Sequence, residues 1–253
     1  MGFLLKLFVF LWLGPLALST ALYYTKDHPD SWRTADWSSA GLLPQASSVP
    51  QASVQVYAAR TGKWKGIFAE HSWIVMKPAN AKKYVRLEVV GWGLPVRINA
   101  YDADGRWYGN EPRLVYAAYG KKAEHLIPQI ITAVENYPLA QKGSYRVWPG
   151  PNSNTFISHV VKSVEGFDVA LPALAAGKDY PVDEPLFGPT PSGSGYRFLL
   201  GGWFAVSVGW IEGFEISLLS SVVGIDIRYP AIKLPGLGRI GEPLPYVQAV
   251  PAT

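Results

Sequence analysis

The sequence predicts an α+β fold in which short antiparallel strands outnumber helices. Three observations carry the prediction. The chain holds Gly 25 and Pro 21 in 253 residues, which demands many turns and short elements. Four segments between residues 53 and 100 alternate or cluster apolar residues as strands do. Two later segments repeat apolar residues at helical spacing.

The elements follow in chain order. Residues 1–24, MGFLLKLFVFLWLGPLALSTALYY, carry one charge, Lys6, before an apolar run from Leu7 to Leu18. A basic start and an apolar core fit a signal peptide, and Ser19-Thr20-Ala21 offers the small residues a signal peptidase needs. The same stretch is long enough to cross a bilayer uncleaved, with Trp12, Tyr23 and Tyr24 as interface residues. Residues 25–51 are polar and rich in Ser, Pro and Ala, and read as a tether.

Residues 53–60, 66–77, 83–90 and 96–100 read as strands, and Asp102-Ala103-Asp104-Gly105 as a turn. In residues 121–136, Ala123, Leu126, Ile127, Ile130, Ile131 and Val134 mark a helix, which Pro128 is expected to kink or restart. Residues 154–164 form a second helix, ended by Gly166. These elements make up a core domain, 52–185. Residues 186–253 are a Gly/Pro-rich β extension: 196–227 read as strands of a hairpin with a membrane-facing side, and 232–251 as a closing coil.

Composition narrows the function. The hydrophobic fraction, 49%, with 17% charged residues, supports a packed core and argues against disorder. No cysteine is present, which excludes disulfides, a thiol nucleophile and thiolate metal sites. The net charge of +4 is scattered, with only short pairs such as Lys82-Lys83 and Lys121-Lys122. No basic stripe exists for nucleic acid, and attraction to anionic lipid is the better reading.

Two places concentrate reactive chemistry. His71 sits near the start of a strand, in Ala69-Glu70-His71-Ser72-Trp73. Trp148-Pro149-Gly150-Pro151-Asn152-Ser153-Asn154-Thr155-Phe156 is a sharp turn opening a helix. A helix N-terminus offers free N–H groups and a positive dipole end, which stabilise a developing oxyanion. A serine there needs a base, since its hydroxyl is scarcely ionised at neutral pH, and His71 can supply one. Glu88 or Asn99 could fix the imidazole tautomer. The plain alternative is that Ser and Asn are preferred N-caps, so Asn152 to Asn154 need no chemistry. His71, His125 and His159 with Asp102, Asp104 or Glu124 lack metal-ligand spacing, so no metal and no cofactor is expected. Glu212 and Glu215 are expected to find basic partners such as Arg197 or Arg239.

The order of these pieces resembles the permuted papain-like proteins. A strand like VQVYAAR, a His-bearing strand EHSWIVM, a strand ending Gly-Trp-Gly and a helix opened by N-S-N-T-F are similar to the PPPDE peptidases, NlpC-type hydrolases and lecithin retinol acyltransferase-like proteins. That resemblance implies His71 as base, Ser153 at the nucleophile position and Asn152, Asn154, Thr155 and Phe156 as its flanks. Ser153 stands where those families carry Cys, which leaves open a serine variant or an inactive relative. The phrases HSWIVMKP, EVVGWG, WYGNEP, YRVWPGPNSNTF and KLPGLGRIG also resemble the bacterial family named domain of unknown function 3750, which fixes no reaction.

The expectation is therefore a permuted papain-like core tethered to the inner membrane and facing the periplasm. His71, Ser153 and Glu88 are its catalytic candidates, and Asn152, Asn154, Trp73, Trp92 and Trp148 its binding candidates. Membrane lipid is a partner, and an envelope peptide or lipid the substrate class. The alternatives are a non-catalytic groove binding a peptide, glycan or lipid, and a structural protein that touches the membrane through its extension.

Overall fold

The computed structural model describes residues 2–245. It is a mixed α+β structure with two antiparallel sheets and few helices. The last part of the expected closing coil, from 246 onward, lies outside the described residues.

The chain opens with one long helix, α1, Phe3–Tyr23. Its 21 residues have a hydropathy of 1.8, long and apolar enough to span a membrane or act as a signal sequence. A π-helical turn, Val9–Leu13, interrupts its α-helical pattern.

The first sheet holds β1 (Ser53–Arg60), β2 (Glu70–Lys77), β3 (Val85–Val89), β4 (Val96–Ile98) and β5 (Arg113–Tyr119) in the order β4-β3-β2-β1-β5. Period-two alternation gives it two different faces. Val54, Val56, Ala58, Ile74 and Leu87 join one apolar core with helices α2 (Gly120–Glu135) and α3 (Ser153–Ser163). Leu126, Ile130, Phe156 and Val160 complete that core, each worth ~1.5–3 kcal/mol when fully buried. The opposite face carries Tyr57, Ala59, Trp73, Val75, Val90 and Trp107, a mainly aromatic cluster. His71, Arg86 and Glu88 belong to this second face, since His71 stacks near Trp73 and Arg86 lies over it.

Several expectations are corrected here. The strand expected at 66–77 begins only at Glu70, because Lys63–Ile67 coils into a 3₁₀ turn. β5 was not expected: its apolar run merges into α2, with Gly120 at φ 57 as the only hinge. α2 runs on through Pro128, which is exposed, so water can reach the carbonyl that the proline strands. The Asp102–Gly105 turn forms as expected, with Gly105 N–H donating to Asp102 O at 2.9 Å.

Residues 25–51 do not hang free. Trp37 packs on Tyr101, Trp107 and Tyr108. The Asp104 carboxylate accepts from Ser39 Oγ (2.7 Å), Leu42 N–H (2.6 Å) and Leu43 N–H (3.2 Å). Buried Lys77 donates to Val49 O at 2.7 Å and Gln51 O at 2.8 Å. Aromatic burial thus overrides the polar composition of the segment and lays it over the second face.

The extension exceeds a hairpin. It is a seven-stranded meander, β6 (Phe187–Pro189), β7 (Gly195–Leu200), β8 (Phe204–Gly209), β9 (Gly213–Leu218), β10 (Ser221–Asp226), β11 (Ala231–Leu234) and β12 (Gly238–Gly241). The expected acid pairings also differ. Glu215 pairs with Lys178 and, at 2.6 Å, with Lys233. Glu212 accepts from Ser192 and Ser194. Arg197 goes instead to Glu184 at 2.6 Å and Arg239 to Asp226 at 3.2 Å.

Candidate functional site

His71 and Ser153 line one cleft of about 600 Å³. Its walls also include Trp92, Trp107, Tyr145 and Trp148. The imidazole of His71 lies flat on the Trp107 indole, with centroids 3.7 Å apart and planes within 8°. Its Nε2 meets Glu88 Oε2 at 2.7 Å. Both side chains are buried.

Glu88 has a second partner that the sequence reading missed. Arg86 Nη2 donates to Glu88 Oε2 at 2.9 Å, and its Nε lies 2.8 Å from Oε1 as an ion contact without hydrogen-bond alignment. The guanidinium also donates to Asp102 O (2.8 Å) and sits 4.1 Å from the Trp73 ring centre. Burial alone would raise the Glu88 pKa. The hydrogen bond from His71 and the charge of Arg86 outweigh it and hold the carboxyl below its ordinary value. Glu88 is therefore a carboxylate, which can only accept, so His71 Nε2 carries the proton. Nδ1 keeps its lone pair and makes no hydrogen bond among the described residues. Burial lowers the His71 pKa, against the pull of Glu88, so the ring is neutral at pH 7. A neutral imidazole with a fixed tautomer is in the state that a general base requires. Asn99, the other candidate orienter, is engaged elsewhere: its Oδ1 accepts from Arg86 N–H at 2.8 Å.

Ser153 is the first residue of α3, and the cap belongs to its neighbour. Asn152 Oδ1 accepts from Asn154 N–H (2.9 Å) and Thr155 N–H (3.3 Å), while Thr155 Oγ1 accepts from Asn152 N–H at 3.1 Å. This is a capping box with Asn and Thr in its two roles. It takes two of the orphan N–H groups expected to face an oxyanion. The Ser153 N–H and Oγ form no hydrogen bond among the described residues and carry no capping duty.

The loop after α3 holds this arrangement together. Ala176 O accepts from Asn152 Nδ2 (3.0 Å) and Asn154 Nδ2 (2.9 Å), and Gly177 O accepts from Thr155 Oγ1 (2.7 Å). Asn154 Nδ2 also donates to Glu70 O at 2.9 Å, and Glu70 N–H donates to Leu174 O at 2.8 Å. The start of the His71 strand is thereby fastened to the start of the Ser153 helix. Gly177 is required here: at φ 91, any Cβ would come within 2.3 Å of the Asn152 amide.

The other binding candidates divide. Trp92 and Trp148 line the cleft, partly exposed. Trp73 does not: it is fully buried, its Nε1 donates to Ala103 O at 2.9 Å, and it supports Arg86 from below. Asn152 and Asn154 border the cleft but spend their amides on structure. Tyr145 was not anticipated. Burial pushes its phenol up to about 12, so it lines the cleft as a neutral hydrogen-bond donor. Lys63, Lys65 and Arg146 also border the cleft, with no acidic partner among the described residues. Arg86 has no motif, though the Arg-Leu-Glu alternation of β3 puts it on the face of Glu88, and Trp107 opens the phrase WYGNEP without a spacing that ties it to His71.

No group of three or more His, Asp or Glu residues is placed to hold a metal ion among the described residues. His125 instead meets Gln129 Nε2 at 3.0 Å, and His159 packs on Tyr137.

No curated protein and no solved structure matches the chain, so the papain-like likeness rests on the order of its motifs. Residues 51–180, which carry every part of this cleft except its Trp32 rim, match the family described as "Protein of unknown function (DUF3750)". The chain belongs to that family.

Proposed function

We propose that the chain is a membrane-anchored cell-envelope protein whose body faces the periplasm, and that its cleft is the site of a Ser/His hydrolase or acyl/peptidyl transferase. One observation carries this reading: His71 is clamped neutral through Nε2 by buried Glu88, with Nδ1 unengaged, in the cleft it shares with the unengaged hydroxyl of Ser153. Ser153 Oγ would attack the carbonyl carbon of an amide or ester as its proton passes to His71 Nδ1. The Ser153 N–H would face the resulting oxyanion. His71 would return the proton to the departing amine or alcohol, and water or a second nucleophile would release the acyl group. The cations Lys63, Lys65 and Arg146 favour an anionic envelope substrate, a lipid or a wall peptide.

A second reading has its own support. Ser153 is largely buried, and the walls are aromatic, which suits a groove that holds a ligand without reacting. The test uses a fluorophosphonate probe on the full chain in detergent, with the labelled residue located by mass spectrometry. Labelling of Ser153 that disappears in Ser153→Ala and drops strongly in His71→Ala supports the hydrolase reading. Absence of label on the folded protein at neutral pH leaves the binding groove.

A further inference from the structure

The C-terminal sheet is polar on the inside and apolar on the outside. Arg197, Ser207, Glu215 and Lys233 alternate toward the body and are buried. The register places them side by side across the strands, Arg197 beside Ser207 and Ser207 beside Glu215. The intervening residues form the outer rows. One row runs Tyr196, Val208, Phe214, Ile225, Ile232, Ile240, and each member is 40% exposed or more. Every strand residue on this face from β7 to β12 is apolar, aromatic, Gly or, at Ser221, hydroxyl-bearing. A face of this size without a charge is far beyond the scattered apolar residues of an ordinary surface.

The position of α1 indicates what covers it. Trp12 Nε1 donates to Ser221 O at 3.2 Å, and Ser19 Oγ donates to Gly236 O at 2.9 Å and Ile67 O at 2.6 Å. Ser19 is buried on a helix that is otherwise mostly exposed. With a rise of about 1.5 Å per residue, Trp12 lies about 16 Å below the Tyr23 end of the helix, and Ser19 about 6 Å below it. If α1 spans a bilayer, the turns joining β9 to β10 and β11 to β12 are carried well below the outer boundary of the hydrocarbon layer. Carbonyls at that depth need protein donors, and they have them: Trp12 for Ser221 O, Ser19 together with Arg60 for Gly236 O and Ile67 O, and Trp148 for Leu219 O.

We propose that the outer face of the β6–β12 sheet is embedded in the lipid layer beside α1, so the body is seated in the membrane rather than hung from it. The inference rests on the reading of α1 as a membrane anchor and stands whether or not the cleft is catalytic.

The absence of cysteine makes a direct test available. Single substitutions Val208→Cys and Ile225→Cys on the outer face, and Glu124→Cys on exposed α2, are introduced into the full chain and labelled with a nitroxide. The protein is reconstituted in phosphatidylethanolamine/phosphatidylglycerol vesicles, and collision with oxygen and with a water-soluble nickel chelate is measured. All three sites are exposed, so the fold should tolerate the labels. The expected result is oxygen-dominated collision at 208 and 225 and nickel-dominated collision at 124. Nickel-dominated collision at 208 and 225 overturns the proposal. So does protection from both reagents accompanied by spin–spin coupling between molecules, which assigns the face to a second copy of the chain.

Discussion

Glu88→Gln should destabilise the protein strongly, through Arg86 more than through His71. The carboxylate is fully buried and holds two partners, His71 at 2.7 Å and Arg86 at 2.8 and 2.9 Å. Glutamine keeps the volume and one acceptor oxygen but removes the charge. The guanidinium, 1% exposed, keeps Asp102 O, the rings of Trp73, Tyr101 and Trp107 and at most the one amide oxygen, with no counter-charge. Removing one member of a buried pair costs ~3–5 kcal/mol, because the other charge stays desolvated. For a chain of this size that corresponds to a fall in Tm of roughly 6–20 °C, at about 2–4 °C per kcal/mol. Denaturant unfolding of the full chain in micelles, followed by tryptophan fluorescence, reads the change. Adding Arg86→Met to Glu88→Gln should recover part of the loss, since the stranded charge is then gone. A single-variant loss under about 1 kcal/mol, or a double variant whose loss equals the sum of the singles, would refute the buried-pair reasoning.

Asn152→Ala removes the helix cap, one tie to the 174–177 loop at Ala176 O and one to Val147 O, and should cost about 1–2 kcal/mol in the same assay while loosening Ser153. Glu215→Gln strands the buried ammonium groups of Lys178 and Lys233 and should cost ~3–5 kcal/mol; a neutral effect would show that water reaches the cluster. Burial opposes the ionisation of Glu215, but the two lysines hold its pKa down at about 2. Its contribution to stability is thus complete above the ordinary carboxylate pKa of 4.5 and is lost as pH falls toward about 2, which acid unfolding of wild type against Glu215→Gln would measure. His71 has a lowered pKa because it is buried. The unfolded chain therefore binds its proton first, and stability should fall as pH drops below 6.5; His71→Gln should flatten that part of the Tm–pH curve.

Much of the site was legible because its parts are local. A histidine opening a strand, a glutamate on the next strand and an Asn-Ser-Asn-Thr turn before a helix are short-range patterns. The structure makes Asn152 the cap, which the sequence left unsettled among three neighbours. Arg86, Trp107 and the 174–177 carbonyls were not legible, since they reach the site through strand register and loop return. Trp73 looked like a binding residue only because its burial is decided by a face that other segments cover.

The sequence by itself determined that an apolar N-terminal helix precedes an α+β body, that β1 alternates from Ser53 to Arg60, and that no thiol takes part in any chemistry. Its period-two pattern in the extension also established that the strands have two unlike faces. It did not determine which face looks inward. Ordinary burial would turn Phe198, Val208 and Ile225 toward the core, but Lys178 and Glu184 of the body reach Glu215 and Arg197 and draw the charged face in. Alternation is a local property of a strand. Its direction depends on charges that lie 13 and 37 residues away in sequence, and only the tertiary structure brings them together.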